Sequence, residues 1–173
     1  MDKTFKPTHL PTKYQDDPLV AQKRADFMHR STWMYLLIDE MKKHGLDIET
    51  AREAVRRCGV LDAHNRYSED AGVEDYDDLV GFSNAIFSDV VQKTLEANVQ
   101  VDDKDLYVEF NYCPHITAWQ KLTDDPELID KLCDIAMEGD RAIAAAHPNW
   151  EYTLTDRIGA GCKSCRMHFH RIK

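Results

Sequence analysis

The strongest constraint on this chain is a change of hydrophobic period near Val99. Before it, apolar residues recur at helical spacing, as in Leu79, Phe82, Ile86 and Val90. After it, Leu106-Tyr107-Val108-Glu109-Phe110-Asn111-Tyr112 alternates with β-branched and aromatic residues, the pattern of a half-buried strand. Helices followed by short strands predict an α+β fold, with N-terminal helices packed on a small, mostly antiparallel sheet and additional helices. A length of 173 residues suits a single domain that buries a core without staples. We therefore expect an N-terminal arm over 1–17 and one α+β domain over 18–173, helical over 18–99, with sheet and site over 100–173.

In the helical half, a first helix is expected from about Leu19 to His44, ended by Gly45. Its segment Trp33-Met34-Tyr35-Leu36-Leu37-Ile38 is apolar on most sides, which makes it central. Asp47 is the expected N-cap of a second helix ending near Gly59, and a third runs from about Asp75 to Ala97. Beyond the strand, Cys113-Pro114 stops pairing, because proline cannot continue a central strand. Short helices follow near Ile116–Leu122 and from Asp125-Pro126. Strands are expected over Glu151–Ile158 and Arg166–Ile172, joined by the glycine-marked turn 159–165. The arm, with Pro7 and Pro11, either wanders or packs on a partner subunit.

Charge narrows the partners. Lys and Arg total 22 against 31 Asp and Glu, a formal charge of −9, so phosphate backbones and anionic membranes are repelled on average. We expect no nucleic-acid and no membrane partner, and a small-molecule substrate instead. The polar N-terminus shows no leader-like apolar stretch, and five cysteines without one suggest a reducing, cytoplasmic setting. The apolar first helix and the proline-marked arm lead us to expect a homo-oligomer.

Four of the five cysteines lie beyond position 112, and they carry the candidate chemistry. Cys113 ends a strand two residues before His115, Cys133 lies in a helix, and Cys162 and Cys165 flank the turn into the last strand. His168 and His170 share one face of that strand by its period of 2. A thiol beside an imidazole suits nucleophilic catalysis. Cys113, Cys133, Cys162 and Cys165, with a histidine, would equally suit zinc or an iron–sulfur cluster. A third reading makes the cysteines small core residues and the histidines solvated. Cys58, beside Arg56 and Arg57, is read as scaffold, and His9, His29, His44, His64 and His147 as surface groups. Dinucleotide, P-loop, zinc-protease and serine-hydrolase signatures are missing.

Strand–Cys113-Pro114, Leu132-Cys133, Tyr152-Thr153-x-Thr155 and Gly161-x-x-x-Cys165-x-x-His168-Phe169, in that order, resemble the L-2-amino-thiazoline-4-carboxylic acid hydrolase family, of which this would be a divergent member. The resemblance implies hydrolysis of a small cyclic amidine or related C–N bond, as in opening 2-amino-thiazoline-4-carboxylate to N-carbamoyl-cysteine, by a cysteine thiolate. It implies no required cofactor, and site residues Cys113, Cys133, Cys165 and His168. His115 joins them by proximity, and Asp134 as the nearest acid to Cys133. Where the family carries acidic residues, this chain has Ala136, Lys163 and Arg166. The alternatives that stay open are a zinc or iron–sulfur protein and a non-catalytic ligand-binding module.

Overall fold

Asp17 accepts from the amides of Leu19 and Val20, and Pro18 takes the first helical position, so α1 starts there and runs Pro18–Lys43. The computed structural model describes residues 4–68, 72–75 and 77–173. The first three residues of the expected arm, and position 76 at the head of the expected third helix, lie outside the described residues. Helix α2 covers Thr50–Arg66. It does not stop at Gly59. That glycine lies in the helix where a Cβ would come within 2.8 Å of the Gly139 Cα, so it lets α2 press against a later helix instead of ending its own.

The expected helix over 75–97 is broken. Asp78, not Asp75, caps α3 (Leu79–Ile86), and after Phe87 and Ser88 the chain restarts as α4 (Asp89–Leu95). Glu96 then turns left-handed (φ 48°) into β1 (Ala97–Val101), a strand the helical reading had absorbed. A turn whose Asp102 carboxylate accepts from the amides of Lys104 and Asp105 leads into β2 (Asp105–Phe110). Helices α5 (Pro114–Gln120), α6 (Pro126–Ala136) and α7 (Glu138–Ala145) follow, then β3 (Trp150–Asp156), a 3-10 turn over Ile158–Ala160, and β4 (Cys165–Arg171).

The strands pair antiparallel in the order β1-β2-β4-β3, which makes the α+β class plain. Alternation gives the sheet two unlike faces. Leu106 and Val108 of β2, Cys165, Met167 and Phe169 of β4, and Trp150 of β3 are buried against the helices. Their register partners confirm the common face: Leu106 lies opposite Phe169, Val108 opposite Met167, and Phe110 opposite Cys165. The other face carries Asp105, Tyr107, Glu109, Arg166, His168 and His170 and looks outward. The inner layer continues into an aromatic cluster of Tyr67, Phe82, Trp150 and Phe169. His147, read from sequence as a surface group, is buried there and stacks on Trp150 at 3.8 Å.

The described arm is bonded along its length to its own chain. The Phe5 amide donates to the Lys121 carbonyl, the Thr8 and His9 amides to the Gln120 side chain, and the Thr12 and Lys13 amides to Glu96. Arg24 closes the latch with an ion pair to Glu96 at 3.2 Å. Among the described residues, no helix is long and apolar enough to cross a membrane.

Candidate functional site

Three chain segments bring thiols to the inner face of the sheet. Cys113 sits between β2 and α5 in extended conformation, immediately before Pro114 at the start of the helix. The amides of Ile116 and His115 lie near enough to its sulfur to act on its ionisation. Cys133 comes from the buried row of α6, with the Gly159 amide close enough to act on its thiol. Cys165 opens β4 and accepts from the Ile158 amide at 3.2 Å. All five cysteines are free. Cys133 and Cys165 are 5% and 4% exposed, whereas solvent reaches Cys113 more freely.

Gly159 is what lets the 3-10 turn lie on α6. A Cβ there would fall 2.7 Å from the Cys133 sulfur and overlap its Cβ. Gly159→Ala is therefore expected to destabilise the protein by ~1–3 kcal/mol through overpacking. The measurement is the urea midpoint; a midpoint equal to wild type would show that the contact is not tight.

Burial sets the electrostatics. It pushes the Cys113 thiol well above its ordinary range, the neighbouring Cys165 and Cys133 adding to the rise and the two helix amides opposing it. Cys165 is pushed up to about 12 by burial, opposed by the Ile158 amide, and Cys133 is raised for the same reason. The resting site is thus a set of neutral thiols, not a preformed thiolate. His115 does not activate them. Burial, aided by the Arg30 guanidinium, pushes its imidazole down to about 3. Its Nδ1 is engaged by Ser31 and its Nε2 lies 3.4 Å from an Arg30 nitrogen, so it ties α5 to α1.

Groups that the sequence reading passed over complete the recess. Burial pushes the Asp140 carboxyl up to about 6, against the pull of Arg30 and Arg141. Asp140 is within electrostatic reach of Cys165 and of the Tyr152 hydroxyl. That hydroxyl is buried and no described residue hydrogen-bonds it. Arg30 from α1 faces both His115 and Asp140. Asp140 was hidden in Glu138-Gly139-Asp140-Arg141, which looks like a solvated helix start. No local signal marked it, because Cys133 is on α6 and Asp140 on α7, and only packing brings the two helices' residues together. His9 was also missed: its Nε2 accepts from the Cys113 amide at 2.9 Å, and burial keeps its pKa low enough for that role.

Other expected members lie elsewhere. The Asp134 carboxylate is engaged by Arg141 (2.7 Å), Arg52 (2.8 Å) and Arg157 (3.0 Å) and clamps α6 to its neighbours. Burial alone would raise its pKa, but these guanidinium groups hold it down. His168 points to the outer face, with the sheet between it and Cys165, because residues three apart on a strand face opposite ways. Cys162 follows the Gly161 bend and is half-buried. Lys163 is exposed, and Arg166 pairs with Glu109 and Asp156 on the outer face, so neither charge enters the recess. Among the described residues, the thiols are not drawn together closely enough to form a metal-binding set of three; only Asp105, His168 and His170 reach that proximity. A groove of about 320 Å³ under the arm, lined by Leu10, Arg24, Met28 and Tyr112, holds none of the thiols.

The fold defines an α+β protein with three thiols gathered in and beside the core on the inner face of an antiparallel sheet. The model of the L-2-amino-thiazoline-4-carboxylic acid hydrolase family matches residues 24–169, so the chain belongs to that family. No curated protein matches the chain significantly. Among solved structures, a trafficking protein particle complex subunit 3 from Naegleria fowleri, covalently bound to palmitic acid, is similar, with a TM-score of 0.51 and 13% identity over 86% of this chain and 96% of that one. At that identity the likeness describes the fold alone.

Proposed function

We propose that this protein hydrolyses a small cyclic amidine, or a related C–N bond, with Cys113 as nucleophile, in the manner of opening 2-amino-thiazoline-4-carboxylate to N-carbamoyl-cysteine. The observation that carries the reading is the convergence of Cys113, Cys133 and Cys165 with Asp140 and an unpartnered Tyr152 hydroxyl. Membership of a family named for a hydrolase supports the reaction class.

In this mechanism the high thiol pKa has a use. An amidinium entering the recess brings positive charge to neutral thiols, which lowers the Cys113 pKa only when substrate is present. Asp140 pairs with the amidinium and supplies the acid that the family pattern places nearer the helix cysteine. Arg30 holds the substrate carboxylate. The Cys113 sulfur bonds to the carbon between nitrogen and sulfur, and the ring carbon–sulfur bond breaks, its sulfur taking a proton. Water then adds to the same carbon and expels the Cys113 thiol, so one water is consumed and the enzyme is restored. No cofactor enters.

The test is turnover of 2-amino-thiazoline-4-carboxylate by the purified full chain, with N-carbamoyl-cysteine read by mass spectrometry and inactivation by iodoacetamide. Product formation blocked by alkylation supports the reading, and turnover untouched by alkylation defeats it. A second reading, a non-catalytic module for a small ligand, is favoured by the high thiol pKa values and the engaged nitrogens of His115. It predicts ligand-induced thermal stabilisation without product.

A further inference from the structure

We propose that Asp105, His168 and His170 form a binding site for a divalent transition-metal ion on the outer face of the sheet. Strand periodicity builds the site. His168 and His170 are two apart on β4 and share its outer face, and the antiparallel register sets Asp105 of β2 directly opposite His170. The Asp105 Oδ1 lies 2.7 Å from His168 Nε2 and 2.8 Å from His170 Nδ1. One donor atom from each residue lies within 4.8 Å of the others. A zinc-sized ion with ligands at about 2.1 Å holds them roughly 3.4 Å apart. Exchanging the shared protons for an ion therefore widens the two carboxylate–imidazole separations by roughly 0.6–0.7 Å, within the freedom of partly exposed side chains.

The surroundings fit a metal better than a chance contact of polar groups. Tyr107 stacks on the His168 ring at 4.2 Å and 6°, which fixes the imidazole plane without occupying its free edge. The register also sets Glu151 of β3 opposite His170, placing a further carboxylate on the row Asp105–His170–Glu151. Two imidazoles and one carboxylate are a donor set suited to zinc, iron(II), nickel or copper, and three protein ligands leave coordination positions open. The site is independent of the thiol recess: Cys165, Met167 and Phe169 of the same strand point inward, and His168 and His170 point outward. It also gives a role to a histidine that the sheet separates from the cysteines.

The experiment titrates tag-free full-length protein with Co2+, read by visible absorbance, and with Zn2+, read by calorimetry. We expect one saturable equivalent whose cobalt spectrum lacks the sulfur charge-transfer band that a thiolate ligand would produce. Removing a partner that merely orients a ligand costs about 10–100-fold in metal affinity. His170→Gln and Asp105→Asn, which remove ligands outright, should therefore weaken binding at least that much, and Cys113→Ser should leave it unchanged. Circular dichroism and the urea midpoint report whether each variant is folded; if one is not, His168→Gln supplies the same comparison. No saturable binding overturns the proposal. So does binding that survives in folded His170→Gln and Asp105→Asn, or a sulfur band lost in Cys113→Ser.

Discussion

Replacing Cys113 with serine is expected to lower kcat/KM for 2-amino-thiazoline-4-carboxylate by at least ~10³-fold while the protein stays folded. Among these three residues Cys113 is partly exposed, although burial still raises its thiol, whereas Cys133 and Cys165 belong to the buried core. The amides of Ile116 and His115 lie beside the Cys113 sulfur and favour its charged form, so negative charge that develops on it during attack and departure meets nearby donors. Serine retains the size but not the nucleophilicity or the accessible anion. Cys133→Ser and Cys165→Ser instead place hydroxyls in an apolar core, so their main expected effect is lower stability. Asp140→Asn keeps the shape of the recess and removes its acid, with an expected loss of ~10²–10⁴-fold. The measurements are steady-state turnover and mass-spectrometric mapping of the residue alkylated by iodoacetamide. Full activity in Cys113→Ser, or labelling that spares Cys113, would assign the nucleophile elsewhere.

Glu96→Ala is expected to cost ~3–5 kcal/mol, because removing one partner of a buried ion pair strands the other. The Glu96 side chain is 2% exposed, and it accepts from the Thr12 amide (2.7 Å), the Thr12 hydroxyl (2.6 Å), the Lys13 amide (2.8 Å) and Arg24 (3.2 Å). Without it the Arg24 guanidinium keeps the carbonyls of Lys13, Lys93 and Thr94 and the face of the Tyr112 ring, but no counter-charge among the described residues. For a chain of this size the loss corresponds to a fall in Tm of roughly 6–20 °C, readable by calorimetry. The arm should also be freed, so trypsin should cut at Lys13 faster than in wild type. A small change in Tm together with an unchanged cleavage rate would mean that the latch is not a stabilising feature.

The pH dependence of the latch has a definite sign. Burial alone would raise the Glu96 pKa, but the Thr12 and Lys13 donors and Arg24 outweigh it and hold the carboxyl below its ordinary value. A depressed folded pKa contributes stability that is fully present above the unfolded value of ~4.3 and is lost as pH falls through the folded one. The stability gap between wild type and Glu96→Ala should therefore narrow below about pH 4. Because the arm also carries His9, which accepts from the Cys113 amide, loosening the latch should disturb the position of Cys113 as well.

Parts of this arrangement were legible one residue at a time. The start of α1 follows from Asp17-Pro18, the strand β2 from its alternation, and its end from Cys113-Pro114. Each rests on local backbone preference, which a short window contains. The break at Phe87-Ser88 was not legible, since Leu79, Phe82, Ile86 and Val90 keep helical spacing across it. Nor was Gly59, which looks like a stop until α7 is seen against it. The inward row Val20, Arg24, Ser31 and Ile38 on α1 did carry a sign that a buried charge needed a partner, but not which one.

The candidate site divides the same way. The sequence by itself determined that the thiols would come from a strand end, a helix and a strand start, because those are matters of local pattern and order. It also determined that His168 and His170 share a face, because the strand period is 2. Only the tertiary structure decided that Cys113, Cys133 and Cys165 come within electrostatic reach of one another, that Asp140 acts on Cys165, and that His168 lies on the opposite face of the sheet. It likewise decided that burial leaves the thiols neutral. Those outcomes depend on which surfaces pack together and how much water they exclude, quantities set by residues far apart in the chain.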